Sequence, residues 1–173
     1  MKKNIKCFLS LILATIAISL IIGCNKTERN EIGRFAKNDE IIGFWKLVPL
    51  PKEASDKLNK VNPWPQTYQW FGIYDDGKMF SFMSSKDQNI SAKELDQTFK
   101  ALPSSLAYKY ENGFLMVKNE EIKNYGELWG VNYMLVETKI GGVLPVSQGD
   151  LMMSLQGTKE QGVIYYRHLR KIN

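Results

Sequence analysis

The stretch YQWFGIY-DDGK-MFSFMS, residues 68–84, determines the fold class that we predict for this chain. Aromatic and aliphatic side chains dominate Tyr68–Tyr74 and again Met79–Ser84, and an Asp-Gly pair lies between the two runs. Two such runs joined by Asp-Gly are typical of a β-hairpin, because Gly readily adopts the positive φ that a tight turn requires. We therefore predict two antiparallel strands here.

The same composition recurs along the rest of the chain. Five further segments are rich in strand-forming residues and bounded by turn residues: Ile41–Val48, Ala107–Glu111, Phe114–Lys118, Asp150–Leu155 and Val163–Arg170. Asn112-Gly113 predicts a second tight hairpin, and Glu127–Lys139 is one long strand or two strands joined at a kink. Seven or eight strands in sequential hairpins predict a mainly β fold, an antiparallel up-and-down β-barrel.

One helix is predicted to interrupt this meander, from Ser91 to about Leu102. Ser91 and Glu94 have the spacing of a capping box, in which their side chains satisfy free backbone N–H groups, and Pro103 ends the helix. Its apolar face combines Leu95, Phe99 and Leu102. We expect this helix to pack on the barrel or to plug it, with a moving lid as the alternative.

The first 23 residues have the composition of a secretory signal peptide. Lysines at positions 2, 3 and 6 precede an apolar run, Phe8–Ile22, that ends in Gly23-Cys24. The run of about fifteen residues is shorter than the roughly twenty of a membrane-spanning helix, which is the alternative interpretation. Gly23-Cys24 resembles the lipobox of bacterial lipoproteins. This resemblance implies cleavage before Cys24 and attachment of acyl chains, such as palmitate, to Cys24.

The same resemblance implies a location in the cell envelope. Asn25 after the lipidated Cys favours the outer membrane, with the protein facing the periplasm, if the cell is Gram-negative. Residues 24–39 are polar and carry both charges, so we expect the lipidated Cys and a flexible tether there, with a short helix around Glu31–Lys37 as the only structure. Residues 40–173 are then the barrel domain.

Signal cleavage changes the charge balance of the chain. The complete sequence carries a formal net charge of +5, but three of its 23 basic residues lie in the signal, so the mature chain is close to neutral at +2. We therefore expect no nucleic-acid partner. Cys7 leaves with the signal and Cys24 carries lipid, so no disulfide is expected and the hydrophobic core alone stabilises the domain.

Two short motifs resemble those of lipocalins and of uncharacterised bacterial lipocalin-like domains, across roughly residues 41–172. They are Gly43-Phe44-Trp45-Lys46-Leu47 near the start and Tyr165-Tyr166-Arg167 on the last strand. The resemblance implies a barrel of about eight strands in which Arg167 packs across Trp45 and, with Gly43, closes the base. A guanidinium over an indole contributes ~0.5–2 kcal/mol.

The interior of such a barrel is filled by side chains or holds one small ligand. Alternation places Trp129 and Tyr133 on one face of their strand, and Tyr165 with Arg167 on one face of the last strand. The proline-rich segment Pro49–Thr67 corresponds to the lipocalin loop that covers the open mouth. The candidate ligand contacts are Trp64, Trp70, Trp129, Tyr133 and Tyr165. Core packing, or pinning of the loop in the case of Trp64, is the alternative.

The sequence contains no recognisable catalytic constellation. His168 is the only histidine, so we expect no His/Cys metal site, no cofactor and no enzyme activity. The leading hypothesis is a membrane-anchored lipoprotein that binds a small hydrophobic or amphipathic ligand without chemistry. The alternative is a protein-binding envelope module, an inhibitor, immunity protein or assembly factor, with a filled barrel and an envelope protein as its partner.

Overall fold

Eleven strands and three helices make up the part of the chain that the computed structural model describes, residues 31–61, 67–119 and 124–173, with the backbone alone at 119, 124 and 125. The helices are α1 (Asn38–Ile41), α2 (Lys52–Leu58) and α3 (Ala92–Lys100). The strands are β1 (Gly33–Phe35), β2 (Gly43–Val48), β3 (Tyr68–Ile73), β4 (Lys78–Ser84), β5 (Leu106–Glu111), β6 (Phe114–Asn119), β7 (Asn124–Met134), β8 (Thr138–Ile140), β9 (Leu144–Val146), β10 (Leu151–Gln156) and β11 (Val163–Ile172).

Eight of these strands form a closed antiparallel barrel. Their order is β7-β10-β11-β2-β3-β4-β5-β6, and β6 pairs with β7 to complete the circle. From β2 round to β11, neighbours in the circle follow one another along the chain, apart from β8 and β9, which form a separate two-stranded hairpin between β7 and β10; β11, the last strand, then pairs with β2, the first. The predicted fold class is confirmed: the protein is an antiparallel up-and-down, lipocalin-like β-barrel with an inserted helix.

The predicted turns adopt the backbone conformations that their residues favour. Gly77 in the β3–β4 hairpin has φ +80°. Asn112 and Gly113, between β5 and β6, have φ values of 53° and 86°, which match the tight hairpin expected from Asn-Gly. Helix α3 begins after Ser91, whose Oγ accepts from Glu94 N, so the predicted capping box is present.

The structure differs from the prediction in two connections. Segment 127–139 is divided between β7 and β8, so the kinked alternative applies. Helix α2 lies inside the proline-rich segment that was expected to be a loop. Two i,i+4 ion pairs, Lys52–Asp56 and Glu53–Lys57, stabilise this helix. Its Ala54 packs against the outer side of β10 and against the β8–β9 hairpin.

The ordered domain also begins earlier than expected, which corrects the boundary of the tether. β1 pairs with the part of β7 that lies just beyond Phe114, the first residue of β6, and α1 follows directly. Arg34 donates two hydrogen bonds to Glu40, and Tyr110 Oη donates to Ala36 O at 2.6 Å. These contacts attach residues 33–41 to the barrel. The expected short helix near Glu31–Lys37 is instead a strand.

Side chains alternate between the barrel interior and two outer clusters. The buried interior side chains are Trp45, Phe71, Ile73, Met79, Leu115, Val117, Trp129, Val131, Leu151, Met153 and Leu169. One outer cluster lies between α2, the β8–β9 hairpin and the wall. The other lies beneath α3, where Leu95 and Phe99 are fully buried, while Leu102 lies past the helix end and is exposed. Helix α3 therefore packs on the outside of the barrel and does not plug it.

Candidate ligand-binding site

The interior is packed at the end where β2 begins, which we call the α1 end. Trp45 is fully buried there, and its Nε1 donates to Ile41 O at 2.9 Å. Leu151 and Leu169 pack against it without exposure. These contacts fill the barrel interior at the α1 end by side-chain packing.

Arg167 occupies the middle of the barrel, with 3% exposure. Its guanidinium carbon lies 4.5 Å from the centre of the Trp129 ring and 5.1 Å from that of Phe71. Burial lowers the pKa of the Arg167 guanidinium to about 10, and the negative charge of Glu127 partly offsets that effect. Two aromatic faces and a carboxylate therefore hold a cation inside the barrel.

The predicted contact between Arg167 and Trp45 stays a prediction, and the rings described beside the Arg167 guanidinium are those of Trp129 and Phe71. Lys171 Nζ lies 5.4 Å from the centre of the Trp45 ring. The register of β11 accounts for the Lys171 contact, because Lys171 lies opposite Trp45, whereas Arg167 lies four residues away, opposite Met153 on β10. Gly43 lies where expected, at the start of β2, with φ +131° and the Lys171 side chain close to it.

Glu127 is one of the polar residues of the interior that the sequence analysis did not identify. Its carboxylate accepts a hydrogen bond from Trp129 Nε1 at 2.8 Å. Glu127 belongs to the same inward-facing alternation as Trp129, so extending that stripe by two residues toward the N terminus would have found it. Tyr165 lies beside this pair, with its ring edge-on to Trp129 at 6.4 Å, and burial raises the pKa of its hydroxyl.

The barrel wall opens between β4 and β5. These strands share only two residue pairs, Lys78 with Ala107 and Met79 with Leu106, whereas β3 and β4 share six. A groove of about 840 Å³ occupies this opening. Its lining combines inward-facing and rim residues: Met79, Ser81, Leu102, Leu106, Val117 and Glu127.

The opening joins the barrel interior to the surface. Met79 and Val117 belong to the interior core, and Ser81 lies on the same side of the sheet as Phe71, its partner on β3. Leu102 and Leu106 form the exposed rim. The site therefore combines apolar side chains with polar ones, which are Ser81, Ser104, Ser105, Lys118 and Glu127.

The candidate ligand contacts do not form a single group. Trp129 and Tyr165 lie together in the interior, but Tyr133 lies toward the α1 end, where the Arg34 guanidinium covers its ring at 5.4 Å. Trp70 lies on the outer face beneath α3, because it alternates with the inward-facing Phe71. Trp64 and Cys24 lie outside the described residues.

A second cluster of polar residues lies on the outer side of the barrel. Asp150 accepts hydrogen bonds from Arg170 Nε and from Ser147 N, and its Oδ2 lies 2.6 Å from His168 Nε2. Burial opposes the charge of Asp150, but the hydrogen bonds from His168 and Arg170 outweigh it and hold the pKa of the carboxyl below its usual range. His168 is fully buried, so a substrate does not reach it. We assign the cluster a structural role.

Metal-binding clusters and membrane-spanning helices are both absent from the part of the chain that the structure describes. Within residues 31–61, 67–119 and 124–173, no group of three or more His, Cys, Asp or Glu side chains could hold a metal ion. No helix of this part of the chain has the length and apolar character needed to cross a membrane.

Comparison with known protein families, curated proteins and solved structures finds no match to this chain.

Proposed function

We propose that this chain is a bacterial lipoprotein whose lipocalin-like barrel binds one small hydrophobic or amphipathic molecule at the cell envelope, without catalysis. The groove at the β4–β5 opening is the observation that supports the proposal most directly. Its volume of about 840 Å³ lies within the range of small-molecule sites.

The chemistry of the groove favours an amphipathic ligand. Met79, Val117 and Leu106 offer an apolar path from the rim to the interior. Polar groups line the same groove: Ser81, Ser104, Ser105, Lys118 and the Glu127 carboxylate. An apolar chain or ring would displace water along the path, and a polar group of the ligand would be placed near the carboxylate and the Arg167 charge behind it.

The envelope location is the second half of the proposal and rests on the N-terminal sequence. The basic, apolar and Gly-Cys pattern of residues 1–24 supports cleavage before Cys24 and acylation of Cys24. One acyl chain holds a protein only marginally at a membrane, and two or more hold it durably. In a Gram-negative cell, Asn25 favours the periplasmic face of the outer membrane.

Blocking the groove tests ligand binding. Ser81→Trp adds an indole inside the opening, and Ser84→Trp adds the same ring to the outer face of the same strand. We expect the affinity for the probe 1-anilinonaphthalene-8-sulfonate, measured by fluorescence titration, to fall at least about tenfold for Ser81→Trp and to stay unchanged for Ser84→Trp. Equal affinities for both variants would contradict the proposed site.

Native mass spectrometry of the protein purified from envelopes provides the second readout. We expect a bound molecule that is lost in Ser81→Trp and retained in Ser84→Trp. Incorporation of labelled palmitate, abolished by Cys24→Ser, tests the anchor separately. The two halves of the proposal can therefore fail independently.

A protein-binding envelope module remains the second candidate, and the packed α1 end favours it. Trp45, Leu151 and Leu169 are buried, so side chains fill the interior of this half of the barrel. In this case the exposed apolar residues of the outer wall would contact an inhibitor target, a toxin or an assembly partner. Pull-down from solubilised envelopes would recover such a partner equally well with Ser81→Trp.

A further inference from the structure

Four apolar side chains form a continuous strip on the outer wall of β6, β7 and β1. The apolar strip consists of Phe35, Phe114, Met116 and Leu128. The rings of Phe35 and Phe114 are 5.6 Å apart between centroids, and Met116 lies directly opposite Leu128 across the β6–β7 ladder. Phe114 and Met116 share one face of β6, so the four side chains are neighbours.

The strip is partly exposed although the neighbouring walls are covered. Phe35 is 53% exposed and Leu128 is 39% exposed, while Phe114 and Met116 are half-buried. Helix α3 packs against β2 and β3, and α2 with the β8–β9 hairpin covers part of β7 and β10. No helix or hairpin of the described part of the chain packs on the strip. Exposed apolar surface of this kind marks a contact site when it is contiguous.

The position of β1 indicates what covers the strip. Seven residues, Asn25–Glu31, separate Cys24 from Ile32, which is itself 45% exposed. A fully extended chain spans at most about 3.3–3.6 Å per residue, so Ile32 lies within about 30 Å of an anchored Cys24. Since β1 carries Phe35, the wall that bears the strip is the part of the barrel attached most directly to the anchor.

We infer that the apolar strip docks on the lipid surface to which Cys24 is anchored, with the outer wall of β6 and β7 facing the bilayer. This inference rests on the acylation of Cys24 in the proposed function, but not on ligand binding. The tether makes the contact effectively intramolecular, so a weak apolar contact is enough to orient the barrel.

Two tryptophan reporters test this orientation in the full-length, acylated protein. Leu128→Trp places an indole in the strip, and Gln97→Trp places one on the exposed face of α3, which packs on the opposite wall. The four native tryptophans are identical in both variants and supply a common background. Both variants are reconstituted into nanodiscs of phosphatidylcholine that carries brominated acyl chains, which quench nearby indoles.

We expect brominated lipid to quench the added indole of Leu128→Trp at least about twofold more than that of Gln97→Trp. Adding Phe35→Ser to Leu128→Trp should reduce this excess quenching. Equal quenching of the two reporters would overturn the inference, as would a stable dimer that buries the strip in detergent-free nanodiscs. Failure of palmitate incorporation at Cys24 would instead remove the anchor, so the two failures are distinguishable.

Discussion

Asp150 illustrates how one buried residue organises the outer side of the barrel. Its carboxylate joins His168, Arg170 and the backbone of Ser147 in a single hydrogen-bonded cluster. The residues come from β11 and from the turn before β10, so the cluster connects the last two barrel strands. Removing the central charge would leave the remaining polar groups buried or half-buried without their acceptor.

We predict that Asp150→Asn lowers the free energy of unfolding by about 3–5 kcal/mol near neutral pH, because it breaks a buried charged cluster. The pKa of Asp150 is lowered by folding, so its carboxylate stabilises the protein above the pKa of the unfolded chain, about 3.9, and this contribution is lost as the pH falls further. The difference between wild type and variant should therefore shrink in acid. Urea unfolding at several pH values measures it.

Asp87→Asn is the matched control for this prediction. Asp87 makes one ion pair, with Lys46, and its side chain is 55% exposed. Such a surface pair contributes only about 0–1 kcal/mol. An equal loss of unfolding free energy in the two variants would show that the Asp150 cluster stabilises the protein no more than an exposed ion pair does.

Arg167 shows what the sequence could and could not predict at the level of single residues. Alternation along β11 predicts that Tyr165 and Arg167 share one face, and in the structure both lie on the interior side. The choice of aromatic partner depends on the register between β11 and its neighbours, and one sequence contains no direct measure of register. For the same reason the cluster around Asp150 was missed, since strand pairing brings Asp150 together with His168 and Arg170.

At the level of single elements, the β5–β6 hairpin connects its own turn to the apolar strip. Gly113 has φ +86°, and a Cβ placed on it would collide with the Phe35 ring of β1. The residue is therefore required for two reasons, backbone conformation and close approach of an aromatic side chain. This local arrangement positions β1 beside Phe114, the first residue of β6.

We predict that Gly113→Ala destabilises the protein by more than Gly141→Ala does. Gly141 also has a positive φ, of 58°, but an added Cβ would meet no atom within 4 Å. The conformational penalty of roughly 1 kcal/mol is common to both variants, and the collision with Phe35 adds to it only at Gly113. Thermal unfolding of the two variants measures the difference. Identical losses would mean that Phe35 moves aside without cost.

Elements with strong local signals were predicted well, and those without such signals were not. Asp-Gly and Asn-Gly turns identified the β3–β4 and β5–β6 hairpins, and Ser91 with Glu94 identified the start of α3. Strand β1 was read as tether because three residues between polar neighbours carry no periodicity. Its pairing with β7 is a tertiary contact. Helix α2 was hidden by the prolines on either side of it.

At the level of the whole molecule, the barrel is closed unevenly. β10 is paired on both sides, with β7 and β11, along its length. Most of β4, by contrast, is paired only with β3, because β5 contacts it at Lys78 and Met79 alone. The part of the wall that borders the groove therefore has the fewest inter-strand hydrogen bonds to lose on opening.

We predict that backbone amides of Phe80–Ser84 exchange with deuterium faster than those of Leu151–Leu155, because fewer hydrogen bonds protect them. Peptide-resolved hydrogen exchange at neutral pH measures both segments in one experiment. Saturation with a groove ligand should slow exchange in the β4 segment and leave β10 unchanged. Uniform protection of the two strands would argue against an opening of the wall at β4.

Because β2 pairs with β11, the barrel can close only after the C-terminal strand has been synthesised. Trp45 and Lys171 lie opposite each other although they come from the first and the last barrel strands, so the contact that completes the barrel spans nearly the whole domain in sequence. Pairings of such high contact order form slowly, and they are impossible before the C-terminal strand has been synthesised. A nascent or truncated chain without β11 would have unpaired edges on both β2 and β10, which are templates for aggregation.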